Sequence, residues 1–478
     1  MSYYFFVYIC LIRGSVPQKL FYMIIIAYIL LLVFTSCSTT GNVKKEVEPL
    51  VEIAVGDAMA NRDSVMLSDY ASSIEYVPLE SNPEALLTTR GYETINSADG
   101  GKVPAQKIIH FRDEMYNFLF DSGLFLLFNA NCEAYSEYIC HVFDLKGKYL
   151  RSINFEPAEQ YNYSYVKTNY ANDGKLYVNI RKRSEESCYC RIYDILTGDL
   201  LESGIVDSKS FRKLVPLDSN NIILQYNTFN LKTKERIMDG FLVGSGFNDE
   251  KRIFTYKEDM TEWVKSMKKK GRRVALSFTR SSIHKSDSGF VLLRELTDTI
   301  YKFTKRDNEF ICKSLYKLNF ADTLKPVKRK VRIDVESYLE SEHSIFLKIE
   351  RNIDYKPVWG KSENDEYKNL FYRIPTEDPH NRIFGINESS TYIVYEKNTG
   401  VTRSTIVQDP VWMGGMSNDL DGGFPFWPEM VAGGKMFQVV KAVDFIKLSK
   451  IYNSEKIKAI ASKLTEDSNP VVVVATLK

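Results

Sequence analysis

The sequence predicts an all-β protein built as a β-propeller. Three observations point there. Aromatic residues are abundant, with 30 Tyr and 28 Phe among 478 residues, and such side chains favour the half-buried surface of a sheet. A strand–turn–strand unit recurs: "CHVFDLKGKYLRSI" from Cys140 and "CRIYDILTGDLLESG" from Cys190 each hold an aromatic-Asp pair, a Gly turn and a second apolar run. The two units lie about 50 residues apart, the period of one four-stranded propeller blade. A pair of β-sandwiches would explain the strand richness but not the recurring hairpin.

Along the chain, residues 1–36 read as a lipoprotein-type signal peptide. The run FYMIIIAYILLLVF (21–34) follows Arg13 and Lys19, the positive-then-apolar layout of a secretory leader. It is short for a membrane span, which needs about 20 residues. Small residues then lead into Cys37 in "FTSC", which resembles a bacterial lipobox, with Phe34 where Leu is usual. The thiol of Cys37 is the expected acceptor of a diacylglycerol, which would anchor the chain in the cell envelope. The extra apolar patch MSYYFFVYICLI at the start reads as sequence upstream of the leader proper. Residues 37–63, polar and Pro-containing, are expected to form a tether. The propeller is expected over 64–478. The absence of an acidic run after Cys37 favours the periplasmic side.

Five cysteines follow Cys37: Cys132, Cys140, Cys188, Cys190 and Cys312. An odd count leaves one unpaired. Cys132 and Cys140 are placed to bridge a hairpin in an oxidising compartment. Cys188 and Cys190 share a strand face, and no CxxC spacing supports a thiolate zinc site.

Further hairpins are expected at Tyr392–Ile406 and at Ile300–Leu315 around Asp307-Asn308, with Gly or Asn supplying the turns. The strands that complete each blade are "GKLYVNI" at Gly174, "NNIILQY" at Asn220, "SGFVLLREL" at Ser288 and "HSIFLKI" at His343. Residues 350–390 are polar and read as an insertion. Residues 436–464 have helical spacing, giving a short helical C-terminal segment. The last run, "SNPVVVVATLK", reads as a buried closing strand, paired with "SIEYVPLE" (Ser73–Glu80) so that no open edge remains.

Taken in order, "SSIEYVPLES", "TDTIYKF", "LNFADTLKP", "SNDLDGGFPFWP" and "DSNPVVVVATLK" resemble the six-bladed β-propeller lipoproteins of anaerobic Gram-negative gut bacteria, a family of unknown function. The resemblance covers roughly Leu67 to Lys478. It implies six blades and a lipid-anchored place in the periplasm or at the outer membrane, and it brings no catalytic residues. The chain departs from the family over Tyr92–Arg112, where a Gly-rich run with Pro-Gly-Glu is expected.

The near-neutral charge of +2 argues against a nucleic-acid partner. The basic run Lys268-Lys269-Lys270-Gly271-Arg272-Arg273 reads as a solvated loop or a lipid-headgroup contact. "DSV", "DTI" and "DTL" at Asp63, Asp298 and Asp322 resemble the glycosylation sequon of such bacteria. In "SNDLDGG", Asp419 and Asp421 with Asn418 offer oxygen ligands for calcium, though without EF-hand spacing; the competing reading is a turn whose side chains cap backbone N–H groups. Trp412, Trp427 and Trp359 are the candidate ligand-stacking aromatics, against core packing between blades. No HExxH or GxSxG is present. These observations favour a lipid-anchored module that binds a protein, peptide or glycan. The alternative is a metal-dependent, lactonase-like hydrolase with its site at the propeller axis.

Overall fold

The computed structural model describes residues 44–46, 50–87, 92–96, 106–110, 117–128, 139–155, 164–182, 187–207, 211–218, 221–230, 232–244, 247, 251–259, 261, 265, 282–286, 289–293, 299–306, 309–320, 331–353, 390–405, 407–408 and 413–478. Six four-stranded antiparallel units follow one another along the chain. Blade 1 is Asn117–Asp121, Leu124–Phe128, Ile139–Phe143 and Tyr149–Asn154. Blade 2 is Ser164–Asn172, Lys175–Lys182, Ser187–Asp194 and Leu200–Asp207. Blade 3 is Phe211–Pro216, Asn221–Asn230, Glu235–Gly244 and Lys251–Asp259. Blade 4 is Ser282–Ser286, Gly289–Leu293, Thr299–Arg306 and Glu309–Leu318. Blade 5 is Val331–Glu340, Ser344–Ile353, Ser390–Glu396 and Thr402–Ser404. Blade 6 is Met430–Ala432, Lys435–Val440, Val471–Leu477 and, from the other end of the chain, Ala71–Pro78.

First strands of successive blades touch from 1 to 4 and from 5 through 6 back to 1. Between blades 4 and 5 the rings of His284 and Tyr338 meet at 6.2 Å. The protein is thus a six-bladed β-propeller, closed by pairing Tyr76 with Val473 and Pro78 with Val471. The expected partnership of the two terminal strands is what forms.

Six buried clusters fill the six seams between blades. Each second strand is buried on both faces, as in Leu124–Phe128 and Gly289–Leu293, so it reads as a continuous apolar run rather than an alternating one. The hairpins quoted from the sequence are the third and fourth strands of blades 1, 2, 4 and 5. The turns of blades 1, 2 and 5 work as expected, while Asp307-Asn308 of blade 4 lies outside the described residues. Asp144 accepts from the N–H groups of Lys146 and Lys148 at 2.8 and 2.9 Å, and Gly147, Gly198 and Gly400 have φ of 79°, 81° and 71°.

Three findings differ from the expectations. Within the stretch expected as a tether, Val51–Ile53 pairs in parallel with Tyr316–Leu318 on the outer edge of blade 4. Helix α1 (Val55–Ala60) then buries Val55, Ala58 and Met59 in the seam between blades 4 and 5. These residues carry enough apolar surface to dock, so any free tether lies ahead of them. Second, the helical stretch begins later than 436. Lys435–Val440 is a strand buried on both faces, which erases its two-residue period. Helices α2 (Ala442–Ile451) and α3 (Glu455–Ala461) follow, with Phe445, Leu448 and Ile457 in the seam between blades 5 and 6. Third, Cys140 is a buried free thiol, as are Cys188 and Cys190; Cys132 lies outside the described residues. Burial pushes the Cys140 thiol well up. None of the described helices is long and apolar enough to cross a membrane.

Candidate functional site

Of the residues singled out in the sequence, Cys37, Trp359 and Trp412 lie outside the described residues. The other three are in the loop that joins blade 5 to blade 6. Asp421 Oδ1 accepts from Tyr76 Oη (3.1 Å), Asn418 Nδ2 (2.8 Å) and the Gly423 N–H (3.1 Å). Its Oδ2 accepts from Ser454 Oγ at 3.0 Å, and Ser454 in turn caps α3 by accepting from the Ile457 N–H. The loop, the closing strand and the helix pair are thereby tied to one carboxylate. Burial, followed by the Asp421 charge and hydrogen bond, pushes the Tyr76 phenol far up, so it stays a donor.

Asp419 turns to a different partner. It accepts from the Ser68 N–H at 2.9 Å and from the Ser68 hydroxyl. Burial alone would raise its pKa, but these donors outweigh burial and hold the carboxyl below its usual range. Both carboxylates are therefore engaged by N–H and O–H donors rather than converging on a cation. Among the described residues, no group of three or more His, Cys, Asp or Glu is placed to hold a metal ion. Trp427 is 7% exposed and packs on Tyr392 (4.9 Å) and Phe346 (6.0 Å), so it is seam core rather than a stacking platform.

The open feature of this region lies elsewhere, in a cleft of about 660 Å³ at the seam of blades 5 and 6. Its walls are the two short turns of blade 5, Ser341–His343 and Asn398–Thr399, the Gly433-Gly434 turn of blade 6, and Asp69-Tyr70 ahead of the closing strand. Mixed charges line it. Glu396 accepts from Tyr70 Oη (2.9 Å) and Thr399 Oγ1 (2.8 Å). Arg403 bridges Glu396 (3.6 Å) and Asp69 (3.3 Å). Lys397 holds Glu340 at 2.7 Å and the Ser341 carbonyl at 2.6 Å. Burial first, then Glu396, pushes the Tyr70 phenol far up. Glu342 and His343 are exposed at the mouth. The arrangement fixes its deeper charges and leaves Glu342 exposed to meet a polar ligand, beside His343, whose Nδ1 lies 3.3 Å from Asn398 Nδ2.

Sequence reasoning missed this cleft. Its walls come from segments spread between Asp69 and Lys478, each an ordinary turn. The one available signal was that "HSIFLKI" and "YIVYEKNTG" belong to the same blade.

A further carboxyl sits on the inner side of the same seam. Glu429, just ahead of the first strand of blade 6, is exposed to solvent yet closely surrounded by protein. Burial lifts its pKa from the usual 4.5 to about 7, against the opposing pull of the Val439 N–H and Lys348. Lys348 itself pairs with Glu336 at 2.8 Å.

The profile of a family described as a domain of unknown function, DUF4933, matches residues 42–453. The chain belongs to this family. The match ends ahead of the closing strand, Val471–Leu477, that completes blade 6 of this DUF4933 protein. No curated protein matches it in sequence. Among solved structures it is similar to a protein of Bacteroides fragilis NCTC 9343 inferred to be exported. The two are 11% identical with a TM-score of 0.49, over 92% of this chain and 100% of the other. It is also similar to the β-propeller domain of the trilobed protease from Pyrococcus furiosus, at 13% identity and a TM-score of 0.29, over 64% of this chain and 88% of that domain.

Proposed function

We propose that this protein is a lipid-anchored binding module of the cell envelope, and that it takes a peptide or glycan segment of a partner into the cleft between blades 5 and 6. The observation that carries the reading is the cleft itself. Its volume of about 660 Å³ falls in the range of ligand sites, roughly 300–1,000 Å³. Its lining offers carboxylates, Arg403, hydroxyls and turn backbone in alternation, which suits a polar chain better than an apolar small molecule. The anchor rests on Cys37 at the end of its apolar leader.

Peptide and glycan arrays probed with the full chain test the cleft. Arg403→Glu and Glu342→Lys are each expected to weaken the best hit by about tenfold, the effect of one charge-assisted contact. Binding that survives both substitutions would remove the cleft from the proposal. Mass spectrometry of the membrane-extracted chain tests the anchor, with acyl mass on Cys37 as the expected result.

A further inference from the structure

Blade 2 holds two thiols that play no part in the cleft. Cys188 and Cys190 are each 0% exposed, in the seam between blades 2 and 3. Two residues apart on the third strand, Ser187–Asp194, they face the same side of the sheet. The Cys190 thiol donates to Asn179 Oδ1 at 3.0 Å, and Cys188 lies within hydrogen-bonding reach of it. That contact first, then burial, pushes the Cys190 thiol well up. Ile192, Val206, Leu214 and Leu224 belong to the same buried cluster. Asn179 is 1% exposed. A buried amide is costly among such neighbours, and this one is turned onto sulfur. Other blades show what packing alone asks for. Counted back from the aromatic-acid pair of each third strand, Cys190 corresponds to Cys140 in blade 1 and Tyr392 in blade 5. Among the described third strands, that of blade 2 alone carries two thiols.

Spacing decides what the pair can hold. The third strand is in unbroken register here, Cys188 with Arg181 and Val206, Cys190 with Asn179 and Gly204. Cβ atoms two residues apart on a regular strand are about 6.6 Å apart, whereas a disulfide needs about 3.8 Å. Joining these thiols would therefore break the ladder on both sides. A two-coordinate cation needs sulfurs only about 4.6 Å apart, twice a metal–thiolate bond, a span the side chains reach by rotation about χ1. Zinc asks for four ligands, which two thiols do not supply. Thiol sulfur selects soft cations, Cu(I) among them, and Cu(I) is content with two such ligands.

We infer that Cys188 and Cys190 form a two-sulfur site for a soft monovalent cation of the Cu(I) class, with Asn179 holding the proton of Cys190. A metal–sulfur bond forms at Cys188 as its S–H bond breaks, and that proton leaves to water. Cys190 adds a second metal–sulfur bond through a sulfur lone pair and keeps its own proton on Asn179 Oδ1. One cation has then replaced one proton, so the charge in the seam is unchanged and the metal keeps its oxidation state. Cys188 is the second residue of its strand, so fraying of the strand end gives the cation a way in.

Uptake of Cu(I) by the full chain, reduced and free of oxygen, in competition with a coloured Cu(I) chelator tests it. A single Cu(I) per chain is expected to stay bound, with two sulfur ligands by X-ray absorption and one proton released on uptake. Cys188→Ala and Cys190→Ala should each abolish retention, and Asn179→Ala should weaken it about tenfold. Cys140→Ala, which removes a single buried thiol of blade 1, should leave it unchanged. Alkylation of the wild-type chain decides the matter if a variant fails to fold: Cu(I) should slow modification of Cys188 and Cys190 and leave Cys140 as it was. Retention unchanged in Cys188→Ala, equal affinity for Zn(II), or equal alkylation with and without Cu(I) would overturn the inference. Failure of the cleft reading shows on the arrays and leaves these measurements unaffected.

Discussion

Blade 2 and blade 6 share an architecture and differ in how the chain supplies it. Blade 2 is one unbroken stretch, 164–207, and the described buried residues of its seam with blade 3 come from strands alone, among them Tyr177, Cys190, Leu214 and Leu224. Blade 6 is stitched from strands almost four hundred residues apart, and its seam with blade 5 also takes in Met416, Phe424 and Trp427 of the connecting loop and Phe445, Leu448 and Ile457 of the helices. Polar groups divide the same way. Blade 2 has a local contact, the Cys190 thiol donating to Asn179 Oδ1 at 3.0 Å. Blade 6 has Asp421, which joins loop, closing strand and helix cap. A local hairpin closes with little loss of chain entropy, whereas bringing distant ends together costs more and must be offset by contacts at the junction. The ring is braced where its ends meet, and the cleft opens beside that brace.

The largest test of this contrast is Asp421→Ala. It leaves four donors without their acceptor, two of them on segments that close the ring, and is expected to cost about 3–5 kcal/mol. Asn179→Ala in blade 2 should cost about 1–2 kcal/mol. Denaturant midpoints of the two variants check it. Equal losses would mean that the junction is no more braced than an ordinary blade.

That contrast also marks how far the sequence could be read. Blade 2 was legible because its strands follow in order: the Tyr193-Asp194 pair, the Gly198 turn and the "GKLYVNI" strand all fall within one period. The pairing of Ala71–Pro78 with Val471–Leu477 was legible as well, since a β-branched run of that length needs cover on both faces. The role of Asp421 was not. An Asp in a Gly-rich loop looks the same whether it meets a calcium ion or Tyr76 and Ser454, because its partners are set by the fold rather than by neighbours in sequence. Trp427 was ambiguous for the same reason, and the cleft, assembled from five separate segments, left no local trace. The N-terminal stretch misled through composition: it is polar enough for a tether, yet Ile53, Val55 and Met59 are each at most 1% exposed.

Two glycines at equivalent turns sharpen the comparison further. Gly147 in blade 1 and Gly198 in blade 2 have nearly the same positive φ, so an alanine at either site carries the left-handed penalty of about 1–2 kcal/mol. Their surroundings differ. A Cβ on Gly147 runs into the Pro78 carbonyl at the end of the closing strand, whose neighbour Glu80 donates its N–H to the Gly147 carbonyl at 2.8 Å. A Cβ on Gly198 meets nothing nearer than Ile153 Cγ1 at 3.9 Å. Gly147→Ala should therefore cost about 3 kcal/mol and Gly198→Ala about 1. A matched loss at both sites would show that the closing strand yields freely at its end.

The smallest effect is read in pH. Glu429 in blade 6 has a folded pKa of about 7 against a usual 4.5, so between those values the folded protein keeps a proton that the unfolded chain has released. Stability due to this group falls as pH rises through the window and is lowest above 7. His141 in blade 1 acts in the opposite direction. Burial lowers its pKa from 6.5 to about 4, with Ser152 Oγ 2.8 Å from Nδ1, so its contribution is lost as pH falls below 6.5. The two slopes overlap and partly cancel in the wild type. Melting curves of Glu429→Gln and wild type, subtracted at each pH from 5 to 8, remove the His141 part, which both proteins share. The difference should grow in favour of the glutamine variant with rising pH and level off above 7. A flat difference would mean that water solvates Glu429 fully, and that the protein packed around its carboxyl does not raise its pKa.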